Sequence, residues 1–208
     1  MQKTYKYLSV ALSAILHPVF VPTYAICMLV WAQIHIMLNP NYLSAATLLI
    51  GVTFVTTSIL PIVMLLIQVK NSDSKDLALP RKEDRQMVYL ATIVGMIIWC
   101  WNMYRMGITG YLLSMLVSAT ILMCVIMLIN HWWKISIHLA ALGALIGSVA
   151  AYQWYNGIVN LWFIPTLLIL SLLLMCARIY LNSHTPMQVI CGLLLGLIIQ
   201  LLPVVILF

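Results

Sequence analysis

Seven apolar stretches separated by short polar joints run along the chain, at roughly 7–32, 43–69, 87–104, 110–129, 137–154, 158–178 and 187–207. Apolar runs of about 20 residues suit α-helices crossing a hydrocarbon layer of about 30 Å, and are too long for barrel strands of about ten residues. The pattern predicts an all-α fold, a polytopic integral membrane helical bundle of six to seven transmembrane helices. Pro18 and Pro22 fall inside the first stretch. Each removes a backbone donor, so that stretch is expected to kink, or to split into an interfacial piece and a shorter span. Gly143/Gly147 and Gly192/Gly196 offer small faces for close helix contact. A single membrane domain over 1–208 is expected, with N-terminal helices to residue 69 and a functional core over 70–208.

Composition agrees with the pattern. With 64% hydrophobic and 7% charged residues, the chain has too little polar surface to cover a soluble globule. The five cysteines, Cys27, Cys100, Cys124, Cys176 and Cys191, show no paired spacing. They read as buried small hydrophobes, without a disulfide framework or zinc site. The first apolar run continues past any plausible cleavage point, so it is expected to belong to the mature protein rather than to a signal peptide.

Charge changes the picture. Residues 70–86 hold five of the ten basic residues and all four acidic ones. With no carboxylate in any apolar stretch, proton relays, acid-coupled transport and carboxylate-held metals lack their side chains. Cations and histidines remain as the carriers of chemistry. Two spans separate the basic loop from Trp132-Trp133-Lys134-Ile135-Ser136-Ile137-His138, and two more separate that cluster from Arg178–Gln188. All three clusters are therefore expected on one membrane face, forming a cationic pocket at headgroup depth that suits a lipid phosphate.

In this order and at these positions, the clusters resemble the three motifs of the type 2 phosphatidic acid phosphatase family. Those motifs are a basic segment ending Arg-Pro, then Pro-Ser-Gly-His, then Ser-Arg-x5-His-x3-Asp. The resemblance runs from about residue 70 to the C-terminus. Lys82 and Arg85 are the counterparts in the first motif, Ser136 and His138 in the second, and Arg178 and His184 in the third. It implies a type 2 phosphatidic acid phosphatase-like core and a metal-independent membrane phosphatase without cofactor. The substrate would be a lipid phosphomonoester or a polyprenyl phosphate or pyrophosphate. His184 would form the phosphohistidine, and His138 would protonate the leaving oxygen and then activate water. Lys82, Arg85, Ser136 and Arg178 would bind the substrate oxygens. The expected partners are the lipid substrate and membrane lipids, not nucleic acid, and the expected setting is a bacterial inner (plasma) membrane. Basic residues, with Lys3 and Lys6, favour a site facing the cytoplasm.

Several positions depart from the family pattern. Gln188 stands where the closing aspartate falls, Ala177 replaces the serine before the arginine, Ile135 and Ile137 flank Ser136, and Gln86 follows Arg85. Gln188 can orient a histidine but cannot neutralise it. A weakened relative that binds or moves a lipid phosphate, or acts as a membrane subunit, is the alternative reading.

Simpler roles also fit. Thr185-Pro186-Met187-Gln188 has the form of a capping box with proline at the first helical position. Ser136 suits an N-cap. His17, His35 and His131 read as packed or interfacial and outside the site, and the 70–86 segment as a solvated loop. Trp99, Trp101, Trp132, Trp133, Trp154 and Trp162 read as interfacial anchors.

Overall fold

The computed structural model describes residues 2–33, 40–71, 82–108, 110–157 and 159–207. Among them, helices follow one another without a strand. They are α1 (Gln2–Ile15), a 3-10 turn (Pro18–Phe20), α2 (Val21–Gln33), α3 (Pro40–Phe54), a π-helical segment (Val55–Ile59), α4 (Leu60–Asn71), α5 (Lys82–Arg105), α6 (Tyr111–Trp132), α7 (Ile137–Asn156), α8 (Phe163–Tyr180) and α9 (Pro186–Leu207). Among the described residues, six helical stretches are long and apolar enough to cross a membrane, and the Pro186–Leu202 part of α9 is a shorter apolar stretch. The protein is an all-α, multi-pass membrane helical bundle, as the hydrophobic pattern predicts.

Prolines locate the irregularities. The first stretch splits: α1 ends at Ile15, and His17 takes an extended conformation (φ −67°, ψ 137°) before the turn that opens with Pro18. A residue preceding proline is driven out of the α region by the ring. In the second stretch, Pro61 cannot donate to the carbonyl four residues earlier, and the helix widens to π geometry just ahead of it. The hydroxyls of Thr53, Thr56 and Thr57 there bond back to the carbonyls of Leu49, Val52 and Thr53. These three hydroxyls are thus satisfied within their own helix.

The chain divides into two compact units, Met1–Val21 with Lys134–Phe208, and Pro22–Trp133. In the first unit, α1 packs on α8. In the second unit, Trp99, Met103 and Leu116 form a buried core against Leu49, Val52, Leu112 and Leu113. Trp99 is therefore no interfacial anchor: it is fully buried, whereas Trp101, Trp132, Trp133, Trp154 and Trp162 are exposed. The cysteines are free as expected, but half-buried rather than buried, and Cys176 is exposed.

The first unit is organised by α7 and α9. A Cβ at Gly196 would run into the Ala140 carbonyl, and one at Gly143 into the Leu193 carbonyl. Only glycine lets these two backbones touch, which fulfils the expectation for the small-residue pairs. The start of α7 is thereby fixed against the start of α9.

Candidate functional site

Arg178 lies in the last turn of α8, and its carbonyl accepts the Ser183 N–H at 3.1 Å. Asn182 closes the helix in the left-handed conformation (φ 51°), which asparagine tolerates better than most residues. The chain then reverses within five residues, so the Arg-x5-His spacing carries His184 back into charge-interaction range of Arg178.

At the start of α9 the capping box forms. Gln188 N–H donates to Thr185 Oγ1 at 3.4 Å, and Thr185 N–H donates to Gln188 Oε1 at 3.1 Å. The same Oε1 lies 3.2 Å from His184 Nδ1. An atom that accepts a backbone N–H must be the amide oxygen, so the imidazole is the donor in this second bond. His184 is thereby held with its proton on Nδ1, and the Lys134 backbone is the ring's second hydrogen-bond partner. The capping and orienting readings of Gln188 are one arrangement: the cap sets the amide, and the amide sets the tautomer.

The start of α7 is tied to the same point. Ser136 N–H donates to the Gln188 backbone carbonyl at 3.2 Å, and a Cβ at Gly192 would come within 2.5 Å of the Ser136 carbonyl oxygen. Ser136 is the N-cap residue of α7, but its hydroxyl makes no capping bond. Ser136 Oγ and His138 Nδ1 are both buried without a hydrogen-bond partner among the described residues. His138, one residue into α7, is itself buried.

His17 also belongs to this site, contrary to the expectation that it lies outside. Its ring meets that of His138 edge to face, with centroids 5.2 Å apart and planes at 82°. The Ser13 backbone, on the same N-terminal segment, hydrogen-bonds His138. Arg178 is in charge-interaction range of His17, His138 and His184 alike. Sequence reasoning missed His17 because an isolated histidine is usually packed; the available signal was an ionisable side chain within an apolar stretch, next to a helix-breaking proline.

The electrostatics of the unit are one-sided. The chain's acidic side chains are Asp73, Asp76, Glu83 and Asp84, so residues 1–21 and 134–208 contain no aspartate or glutamate. Arg178 Nε is buried without a partner among the described residues. A buried guanidinium with no carboxylate in its unit is disposed to take an anion.

No family model, curated protein or solved structure matches this chain. The site is therefore read from its own residues.

Of the expected site residues, the first unit brings together Ser136, His138, Arg178, His184 and Gln188. Arg85 belongs to the other unit, where it hydrogen-bonds Tyr89 one turn along α5. The Lys82 side chain lies outside the described residues, as do His35 and most of the charged segment before α5. His131 is exposed, its ring against Trp132 and its Nδ1 3.5 Å from Gln86 Nε2.

His184 lies in the link between α8 and α9, and its surroundings set its protonation. Burial first, then the charges of Arg178 and Lys134, push its pKa down to about 4; hydrogen bonds to Gln188 and the Lys134 backbone act in the opposite sense. A histidine with a lowered pKa stays neutral until the pH falls to that value. In the anion-free protein, His184 is expected to remain neutral and Nδ1-protonated from pH 8 to pH 5. Imidazole ¹⁵N NMR checks this, with the resonance assigned by its loss in His184→Gln. A midpoint near pH 6.5 would mean that the ring is more open to water than the structure indicates.

Proposed function

We propose that this protein is a metal-independent membrane phosphatase. It would hydrolyse a lipid phosphomonoester, or a polyprenyl phosphate or pyrophosphate, through a phosphohistidine. The observation that carries this reading is His184, held at Nδ1 by Gln188 and neighbouring a guanidinium that no carboxylate in its unit neutralises.

The steps follow from that arrangement. His184 Nε2 attacks phosphorus, forming a P–N bond as the P–O bond to the lipid alcohol breaks. His138 delivers a proton to the departing oxygen, then takes one from the water that attacks the phosphohistidine, releasing phosphate and restoring His184. Arg178 holds the nonbridging oxygens throughout, and the buried Ser136 hydroxyl is a further donor to them. Lys82 and Arg85 are proposed as additional phosphate ligands on the basis of the motif resemblance. The protein is proposed to work in a bacterial inner membrane, with its basic face towards the cytoplasm.

The test is phosphate release by detergent-purified protein, with chelator present, from a panel of phosphatidic acid, other lipid phosphomonoesters and polyprenyl phosphates and pyrophosphates. Acid-labile, base-stable labelling of the protein by a ³²P-substrate would identify the intermediate. Release that requires an added divalent cation would refute the metal-independent reading.

The amide of Gln188 favours a second reading, in which the site binds or moves a lipid phosphate without appreciable turnover. An amide orients His184 but supplies no negative charge to stabilise the imidazolium formed on attack. Removing the orienting carboxylate from a comparable serine-protease triad costs about 10⁴-fold. Gln188→Asp keeps an acceptor for Thr185 N–H and adds that charge, so phosphate release is expected to rise by roughly 10²-fold, a part of that range. Robust wild-type turnover that the substitution leaves unchanged would show that the amide suffices.

A further inference from the structure

The N-terminal segment reaches the site through the Ser13 backbone and the imidazole of His17. Its Nδ1 accepts the Val19 N–H at 3.5 Å, capping the 3-10 turn that Pro18 opens. A neutral imidazole that accepts at Nδ1 carries its proton on Nε2. Among the described residues nothing accepts that proton. The ring is half-buried, packed on His138 and within charge-interaction range of Arg178. A half-buried N–H donor beside a buried guanidinium is the donor set that a phosphate oxygen satisfies.

We infer that His17 is a further substrate-binding residue, donating its Nε2–H to an oxygen of the bound phosphate. The inference rests on the reading of this site as a phosphate site. It makes residues 1–21 a working part of the site, placed there because the break at Pro18 halts α1 beside the start of α7.

Two substitutions separate the nitrogens. Asparagine at 17 puts its amide where Nδ1 lies, so His17→Asn retains the cap and loses the reach; glutamine extends to the Nε2 position, so His17→Gln retains the reach and loses the cap. Binding of inorganic phosphate to the full-length protein in detergent, followed by calorimetry, reads the effect without requiring turnover. His17→Asn is expected to weaken binding by roughly tenfold or more, the effect of losing a hydrogen bond to a charged group, with His17→Gln remaining within about threefold of wild type. Weakening in both variants at unchanged thermal midpoints would also support donation, by an imidazole that no amide replaces. Wild-type affinity in His17→Asn overturns the inference, as does weakening that accompanies a lowered midpoint, which would mark a structural cap.

Failure of the site reading is distinguishable. It would show as no phosphate binding by the wild type, or as binding that Arg178→Ala leaves intact, and the His17 inference would fall with it. Parallel titration with phosphatidic acid in mixed micelles separates the two sources of phosphate. Weakening by His17→Asn for the lipid alone would assign the donor to a headgroup, and weakening for both assigns it to the phosphate itself.

Discussion

His184→Ala is expected to lower phosphate release by roughly 10⁴-fold or more, the scale seen when a covalent nucleophile is removed. The loss is chemical rather than structural. Thr185 N–H reaches Gln188 Oε1 without involving His184, and the backbone bond from Ser136 to Gln188 does not involve its ring either. The start of α9 therefore keeps its geometry, and Arg178 remains to hold phosphate. Affinity for inorganic phosphate should change only a few-fold while turnover and ³²P labelling disappear together. Turnover that survives would rule out a phosphohistidine at this position and leave direct attack by water, with His138 as its base.

The second large effect concerns the frame. Adding one methyl group in Gly196→Ala drives it into the Ala140 carbonyl, and Gly143→Ala meets the Leu193 carbonyl in the same way. Backbone atoms within two helices cannot step aside as a flexible side chain does, so α7 and α9 must separate. A cost of about 3 kcal/mol is expected for each, at the upper end of ordinary overpacking. Thermal unfolding in detergent should show a lowered midpoint, and phosphate binding should weaken because separation pulls Ser136 away from Gln188. Gly51→Ala is the control: nothing lies within 4 Å of its Cβ position, and alanine is the better helix former. A midpoint for Gly196→Ala equal to that of the control would mean that the helices are not in backbone contact.

How much of this was legible in the chain varies with the range of the interaction. Helix positions were legible because each apolar stretch repeats the same local requirement, to present side chains to lipid while satisfying its own backbone. The break at Pro18 and the capping box at Thr185–Gln188 were legible for the same reason, since proline geometry and N-terminal capping act over a few residues. The small-residue pairs announced a close approach, although not which helix would meet which. Trp99 shows the limit. Its place near the end of an apolar stretch suggested an anchor, but its environment is decided by Met103 and Leu116, and no local pattern states that α5 and α6 close over it.

By itself, the sequence determined that this protein is an all-α membrane bundle with most of its cations in three clusters, and that residues 134–208 hold no aspartate or glutamate to neutralise Arg178. Only the tertiary structure decided that α7 and α9 press backbone against backbone, that Gln188 turns its oxygen to His184 because Thr185 claims the same atom, and that α1 folds onto α8 to bring His17 against His138. Composition and spacing act along the chain, whereas the orientation of an amide and the meeting of two rings more than a hundred residues apart depend on which surfaces pack.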